Sequence, residues 1–130
     1  MLKIAFPTQD NTVEPGQAAI SAHFGRAPYF IVVTLDDSAE PQFEQRSKAY
    51  HGNGQHEPHD PHTHNHAGMV GPIADCQVLI AGGMGQPAYD TAVAAGLTVI
   101  LTGERSVAAA LAAFRANTLI TDRRRIHAAH

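Results

Sequence analysis

The sequence predicts an α/β protein: one three-layer domain with a five-stranded mixed sheet in the order 3-2-1-4-5 and flanking helices. Three observations lead there. The first part of the chain carries strand-like runs that fit a meander, "LKIAF", "FIVVTL" and "QFEQRSKAY". The later part alternates strand and helix patterns, "QVLIAGG", "QPAYDTAVAAG", "LTVILT" and "SVAAALAAFRAN". The length of 130 residues, with 44% hydrophobic and 16% charged, supports one core and makes two marginal. Antiparallel strands followed by βαβα favour a mixed sheet covered on both faces.

Taken in order, "LKIAF" alternates Leu2, Ile4 and Phe6 against Lys3 and Ala5, and Phe30 to Leu35 is a short apolar run rich in β-branched residues. After the acidic turn "DDSAEP", the polar "QFEQRSKAY" reads as an edge strand guarded against aggregation. "AGMVGPIADC" spaces Met69, Val70, Ile73 and Ala74 near helical intervals, with Gly71 and Pro72 delaying or kinking that helix. Pro87 at the expected first helical position and Gly96 just past the last turn bracket the next helix. Ser106 is the expected N-cap of the final one, which places Val107, Ala110, Leu111 and Phe114 on one face. Residues 1–120 form the domain, with a His-rich loop at 51–66. Residues 121–130, "TDRRRIHAAH", read as a solvated basic tail, with docking to an acidic partner as the alternative.

The totals exclude several classes. A formal charge of −3, with nine His counted neutral, gives no cationic excess for nucleic acid. The lone Cys76 rules out an internal disulfide framework and a thiolate zinc cage, so a reducing, cytoplasmic setting is expected. The first apolar run stops at Pro7, too short for a signal-peptide core or a membrane span. Metal-dependent nuclease chemistry needs carboxylates clustered on central strands, and "LKIAF" and "QVLIA" carry none. No nucleophile motif is present, and the protein is not expected to be an enzyme. The oligomeric state is not legible.

In the order 3-2-1-4-5, strand 1 lies parallel to strand 4 and the connections leave in opposite directions, which marks the crevice where open α/β sheets bind ligands. Three segments should meet there: Pro7 and Thr8, "SAHFGRAPYF", and "AGGMGQP". Gly82, Gly83 and Gly85 let backbone amides approach an anion, with a helix N-terminus behind them. Taken alone, "GGMG" reads more readily as a plain tight turn. It lacks the Lys and Ser/Thr of a phosphate-binding Walker loop. His23 offers an imidazole, as a metal ligand or as a structural hydrogen-bonding group, and Arg26 a fixed charge, while Met84 offers a soft thioether or an apolar gap filler.

"HGNGQHEPHDPHTHNH", His51 to His66, packs six imidazoles into sixteen residues. Such a segment can bind zinc, nickel or copper, although its spacing fits no closed tetrahedral template. An exposed insertion with weak metal affinity is the alternative. His64 and His66 adjoin the following helix pattern and are better anchored than His56 or His59, so they could swing over the crevice as a lid.

"KIAFPT", "HFGRAPYF", the His/Gly-rich connection, "VLIAGGMGQPAYDTAVAAGLTVIL" and "SVAAALAAFRAN" together resemble the dinitrogenase iron-molybdenum cofactor-binding family, which includes the orange proteins. The resemblance runs from Leu2 to about Leu119, and "HFGRAPYF" and "IAGGMG" are its most specific parts. It implies a ribonuclease H-like fold and non-covalent carriage of a metal–sulfur cluster, either molybdenum–copper sulfide or an iron–molybdenum or iron–sulfur precursor. It also implies a cofactor-assembly or acceptor protein as partner. His23 matches the family's "HFG" histidine, and Gly82, Gly83 and Gly85 match its glycine turn. Such cargo is anionic, so amides, Arg26 and one or two histidines would complement it without multiple cysteines. A divalent-metal buffer using the His-rich loop is the second functional expectation.

Overall fold

The computed structural model describes residues 2–9, 18–24, 27–36, 39–47 and 73–127. Strand β1 (Leu2–Thr8) divides its side chains between two cores, because successive residues of a strand point to opposite faces. Ile4 and Phe6 face one core and Ala5 the other, all three fully buried. Strand β2 (Tyr29–Asp36) pairs antiparallel with β1 from Tyr29 opposite Thr8 to Leu35 opposite Leu2. It splits in the same way, Phe30 and Val32 to one face, Ile31 and Val33 to the other. That is why "FIVVTL" is an unbroken apolar run: both faces are covered. Strand β3 (Ala39–Ser47) is the antiparallel edge, with Pro41 placed where an edge strand tolerates a missing N–H. It begins within the segment read as an acidic turn.

Strand β4 (Val78–Ala81) joins β1 in parallel, and β6 (Thr98–Leu101) joins β4 in parallel. The sheet order is therefore β3-β2-β1-β4-β6. The expected order holds, with one difference of numbering: Met84–Gly85 form a two-residue strand β5 outside the main sheet. Helix α1 (Gln86–Ala94) covers one face through Ala88 and Ala92, and helix α2 (Val107–Arg115) covers the other through Val107, Ala110 and Leu111. Each fully buried large side chain in these layers contributes roughly 1.5–3 kcal/mol of apolar burial.

Helix ends follow the sequence reading. Gly96, at φ 96°, closes α1 in the left-handed conformation that an L side chain resists. The Ser106 hydroxyl oxygen accepts the Ala109 N–H at 3.1 Å and caps α2.

Two expectations need correction. Residues 73–76 of the expected "AGMVGPIADC" helix form a turn closed by the Cys76 N–H on the Ile73 carbonyl at 2.9 Å. Residues 67–72 lie outside the described set. Ile73 is fully buried and Cys76 nearly so, which ties this turn to the core instead of letting a helix continue. Residues 121–127 are not a free tail either. The Asp122 N–H donates to the Leu101 carbonyl at 2.8 Å, and the Thr121 hydroxyl accepts the Leu101 N–H at 3.0 Å, so the chain returns along the β6 edge. A 3₁₀ turn (Arg123–Arg125) then leads to strand β7 (Ile126–His127), which pairs in parallel with β5. The reason is tertiary: Ile126 packs against the core that contains Met84, and the β6 edge needs partners for its backbone.

Candidate functional site

The parallel strands β1, β4 and β6 end together at Thr8, Ala81 and Leu101, and residues 18–24 are laced across those ends. The Ser21 N–H donates to the Pro7 carbonyl at 2.8 Å, and the Ile20 N–H to the Arg105 carbonyl at 2.8 Å. The glycine turn completes the lacing. The Gly82 N–H donates to the Ser21 carbonyl at 3.0 Å, and the Phe24 N–H donates to the Gly83 carbonyl at 3.0 Å. A Cβ on Gly82 would sit 2.8 Å from the Ser21 oxygen and 3.1 Å from the Ala22 Cα, so only glycine lets the two backbones meet. The crevice expected at the sheet's reversal is thus where these two motifs join.

Phe24 orients its neighbour. Its ring is fully buried, with its centroid 5.8 Å from that of Phe30, while His23 just before it is exposed. The Ser21 hydroxyl accepts the His23 N–H and donates to the His23 carbonyl, both at 3.1 Å, which holds the backbone of this corner. His23 therefore stands outside the apolar interior. Met84 does the opposite. Only 1% exposed, its side chain lies in the core cluster with Phe24, Phe30 and Leu79, so its thioether fills a gap in the core and is not presented as a soft ligand.

Beside Gly82 opens a cavity of about 390 Å³ whose walls include Ala22, Gly82, Gly103, Glu104, Arg105 and Arg125. That volume falls at the small end of ligand pockets, which run about 300–1,000 Å³. Its walls come from the three connections that follow β1, β4 and β6, together with the returned C-terminal segment. Gly82 and the residue preceding His23 reach it, whereas His23, Gly83, Met84 and Gly85 are not among its walls. Helix α1 starts directly after this turn, with Gly85 at its N-cap and no side chain capping its first amides.

The sequence reading missed two cationic residues here. Arg105 is exposed on the connection between β6 and α2, and Arg125 is half-buried against the backbone of Gly103. The only signal for Arg125 was a run of three arginines followed by the apolar Ile126, a pattern that also describes a solvated tail.

Other candidates are placed elsewhere. Burial, aided by the Asp75 carboxylate, pushes the Cys76 thiol up to about 12, so it stays protonated and is a poor metal ligand. Asp75 forms ion pairs with Lys3 at 3.1 Å and Arg46 at 2.7 Å, which joins β1 and β3 to the turn before β4. Among the described residues no group of three or more His, Cys, Asp or Glu is placed to hold a metal ion. Among them, too, no helix is long and apolar enough to cross a membrane. Arg26, His64 and His66, with the rest of the His-rich loop, lie outside the described residues.

A mixed five-stranded sheet with a small, partly cationic cavity at the carboxyl ends of its parallel strands defines an α/β binding domain. The chain belongs to the family described as dinitrogenase iron-molybdenum cofactor, whose model matches residues 1–117. Solved structures share the fold. PH0822 superposes with a TM-score of 0.70 at 20% identity, covering 93% of this chain and 96% of that one. The apo form of the orange protein from Desulfovibrio gigas gives 0.68 at 22% identity, covering 94% and 93%. A Thermotoga protein that belongs to the DUF35 family gives 0.66 at 23% identity, covering 93% of each chain. No curated protein sequence matches the chain significantly.

Proposed function

We infer that this protein is a non-catalytic carrier or scaffold for an anionic metal–sulfur cluster, held in the crevice beside Gly82 and His23. The observation that carries the reading is the cavity itself: it is small, walled partly by glycines, and lined by two arginines and one glutamate at the carboxyl ends of parallel strands. Membership of the iron-molybdenum cofactor family supports it. So does the chemistry of the donor set. A cluster whose sulfides are inorganic brings its own soft ligands and its own negative charge, so it needs charge complement and hydrogen-bond donors from the protein. The described residues provide guanidinium groups and an exposed imidazole, and their single thiol remains protonated. The cargo on this reading is a molybdenum–copper sulfide or an iron–sulfur or iron–molybdenum precursor, passed to a cofactor-assembly or acceptor protein in the cytoplasm. Gly82, Gly83 and Gly85 shape the turn, His23 ligates or hydrogen-bonds the cargo at the rim, and Arg26, His64 and His66 are proposed to approach it from the connecting segments.

Anaerobic reconstitution tests this. Thiomolybdate with copper, or an iron–sulfur precursor, should give a stoichiometric charge-transfer band that weakens in His23→Ala. Absence of a band under both conditions overturns the carrier reading. If zinc, nickel or copper instead binds with an affinity that survives His23→Ala and disappears when residues 52–65 are deleted, the protein is a divalent-metal buffer.

A further inference from the structure

The geometry points to Arg125, delivered by the returning C-terminal segment, as the residue that anchors an anion in the cavity beside Gly82. The ligand class is a compact, multiply charged anion with tetrahedral sulfide or oxide edges. This assignment rests on the carrier reading and deepens it. It also lies beyond the residues 1–117 that the family model matches.

Three features single out Arg125. Its Nε is buried and makes no hydrogen bond, and its contact with the Asp122 carboxylate, at 3.5 Å, is an ion pair too long for a good one. Asp122 is meanwhile held more closely by Arg124, at 3.0 Å. A buried donor with no acceptor is costly, so Asp122 leaves this guanidinium incompletely satisfied; the side chain as a whole is 40% exposed, which leaves its terminal nitrogens as the donors for an anion. Second, the place of the guanidinium depends on a missing side chain. A Cβ on Gly103 would meet an Arg125 terminal nitrogen at 2.6 Å, so residue 103 leaves open the space that the guanidinium occupies. Third, the position is fixed by backbone pairing. Asp122 is tied to Leu101, and Ile126 and His127 pair with Met84 and Gly85, so Arg125 is held between the end of β6 and the glycine turn.

Arg105 adds a second positive charge on the wall, and Glu104 one negative charge, leaving a positive excess. A planar fork with several donors suits the edge of a tetrahedral anion better than a point charge does. Arg124 serves as an internal control: it carries the same charge one residue away, its side chain is 90% exposed, and it is not among the cavity walls.

The test is titration of the intact chain with tetrathiomolybdate, read by visible absorbance and by molybdenum retained on equilibrium dialysis. Arg125→Gln should weaken binding roughly ten- to hundredfold, the worth of a charge-assisted hydrogen bond. Arg125→Lys should fall between it and the wild type, and Arg124→Gln should stay within about twofold. Gly103→Ala should reproduce the loss while keeping the circular dichroism and melting temperature of the wild type, because the added methyl meets only the flexible end of Arg125. It carries the test if Arg125→Gln fails to fold. Equal affinity in Arg125→Gln and Arg124→Gln, or wild-type affinity in Gly103→Ala, overturns the assignment and leaves the carrier reading intact. If the wild-type chain does not retain tetrathiomolybdate, the role of Arg125 falls; the carrier reading falls with it only when reconstitution with copper and thiomolybdate and with an iron–sulfur precursor also gives no band.

Discussion

The Gly82 amide donates to the Ser21 carbonyl at 3.0 Å, and a methyl group on Gly82 would come 2.8 Å from that same oxygen. One contact therefore does two things. It closes a hydrogen bond between the connections after β1 and β4, and it sets how near the "HFG" corner stands to the glycine turn.

Substitution at this turn should be sharply position-dependent. Gly82→Ala must push Ser21 and Ala22 away, at a cost of about 1–3 kcal/mol for an overpacked site, and should impair cluster binding in proportion. Gly85→Ala places its Cβ 3.7 Å from the Pro87 Cδ, an ordinary contact, and should change stability by less than about 0.5 kcal/mol. Urea denaturation of the two variants checks the contrast. Equal stabilities would mean that the Ser21–Gly82 approach is not close in solution.

Stability should fall in acid through Asp75. Hydrogen bonds from Arg46 hold its carboxyl well below the usual carboxylate range, with Lys3 adding to the effect. A carboxylate whose folded pKa is depressed stabilises the native state fully above its unfolded pKa, and that contribution is lost as the pH drops from there through the folded pKa. The protein should therefore lose this increment progressively below about pH 5. Because the Asp75 side chain is 48% exposed, solvent screens the pairs, and the increment should be about 1 kcal/mol. Asp75→Asn should lower stability at pH 7 by that amount and flatten the acid limb, measured by melting temperature against pH. An unchanged acid limb would remove Asp75 from the account.

Cys76 should behave as a core residue. With its thiol pushed up to about 12 and 7% of its surface exposed, it should resist alkylation by iodoacetamide at pH 8 in the native protein and react promptly in denaturant. Cys76→Ala should keep the reconstituted cluster band. Rapid native alkylation, or a band lost in Cys76→Ala, would place the thiol in the site.

The amino-acid sequence by itself determined the layers of this protein. Alternation in "LKIAF", the doubly covered runs "FIVVTL" and "QVLIA", the Ser106 cap and the Gly96 stop are local patterns whose periods match the elements they form, so strand order and helix faces were legible in them. Local patterns also located the crevice and two of the segments beside it. They could not tell that Met84 turns into the core while His23 stays exposed, because a side chain's direction at a loop corner depends on what packs beneath it, here Phe24 and the core around Met84. Nor could they foresee Arg125. Its run of arginines has no period, and the docking of residues 121–127 depends on backbone partners at Leu101, Met84 and Gly85 that lie far away in the chain. Only the folded sheet brings those partners to one edge. The charge that reaches the cavity was therefore decided by long-range hydrogen bonding, which leaves no trace in neighbouring residues.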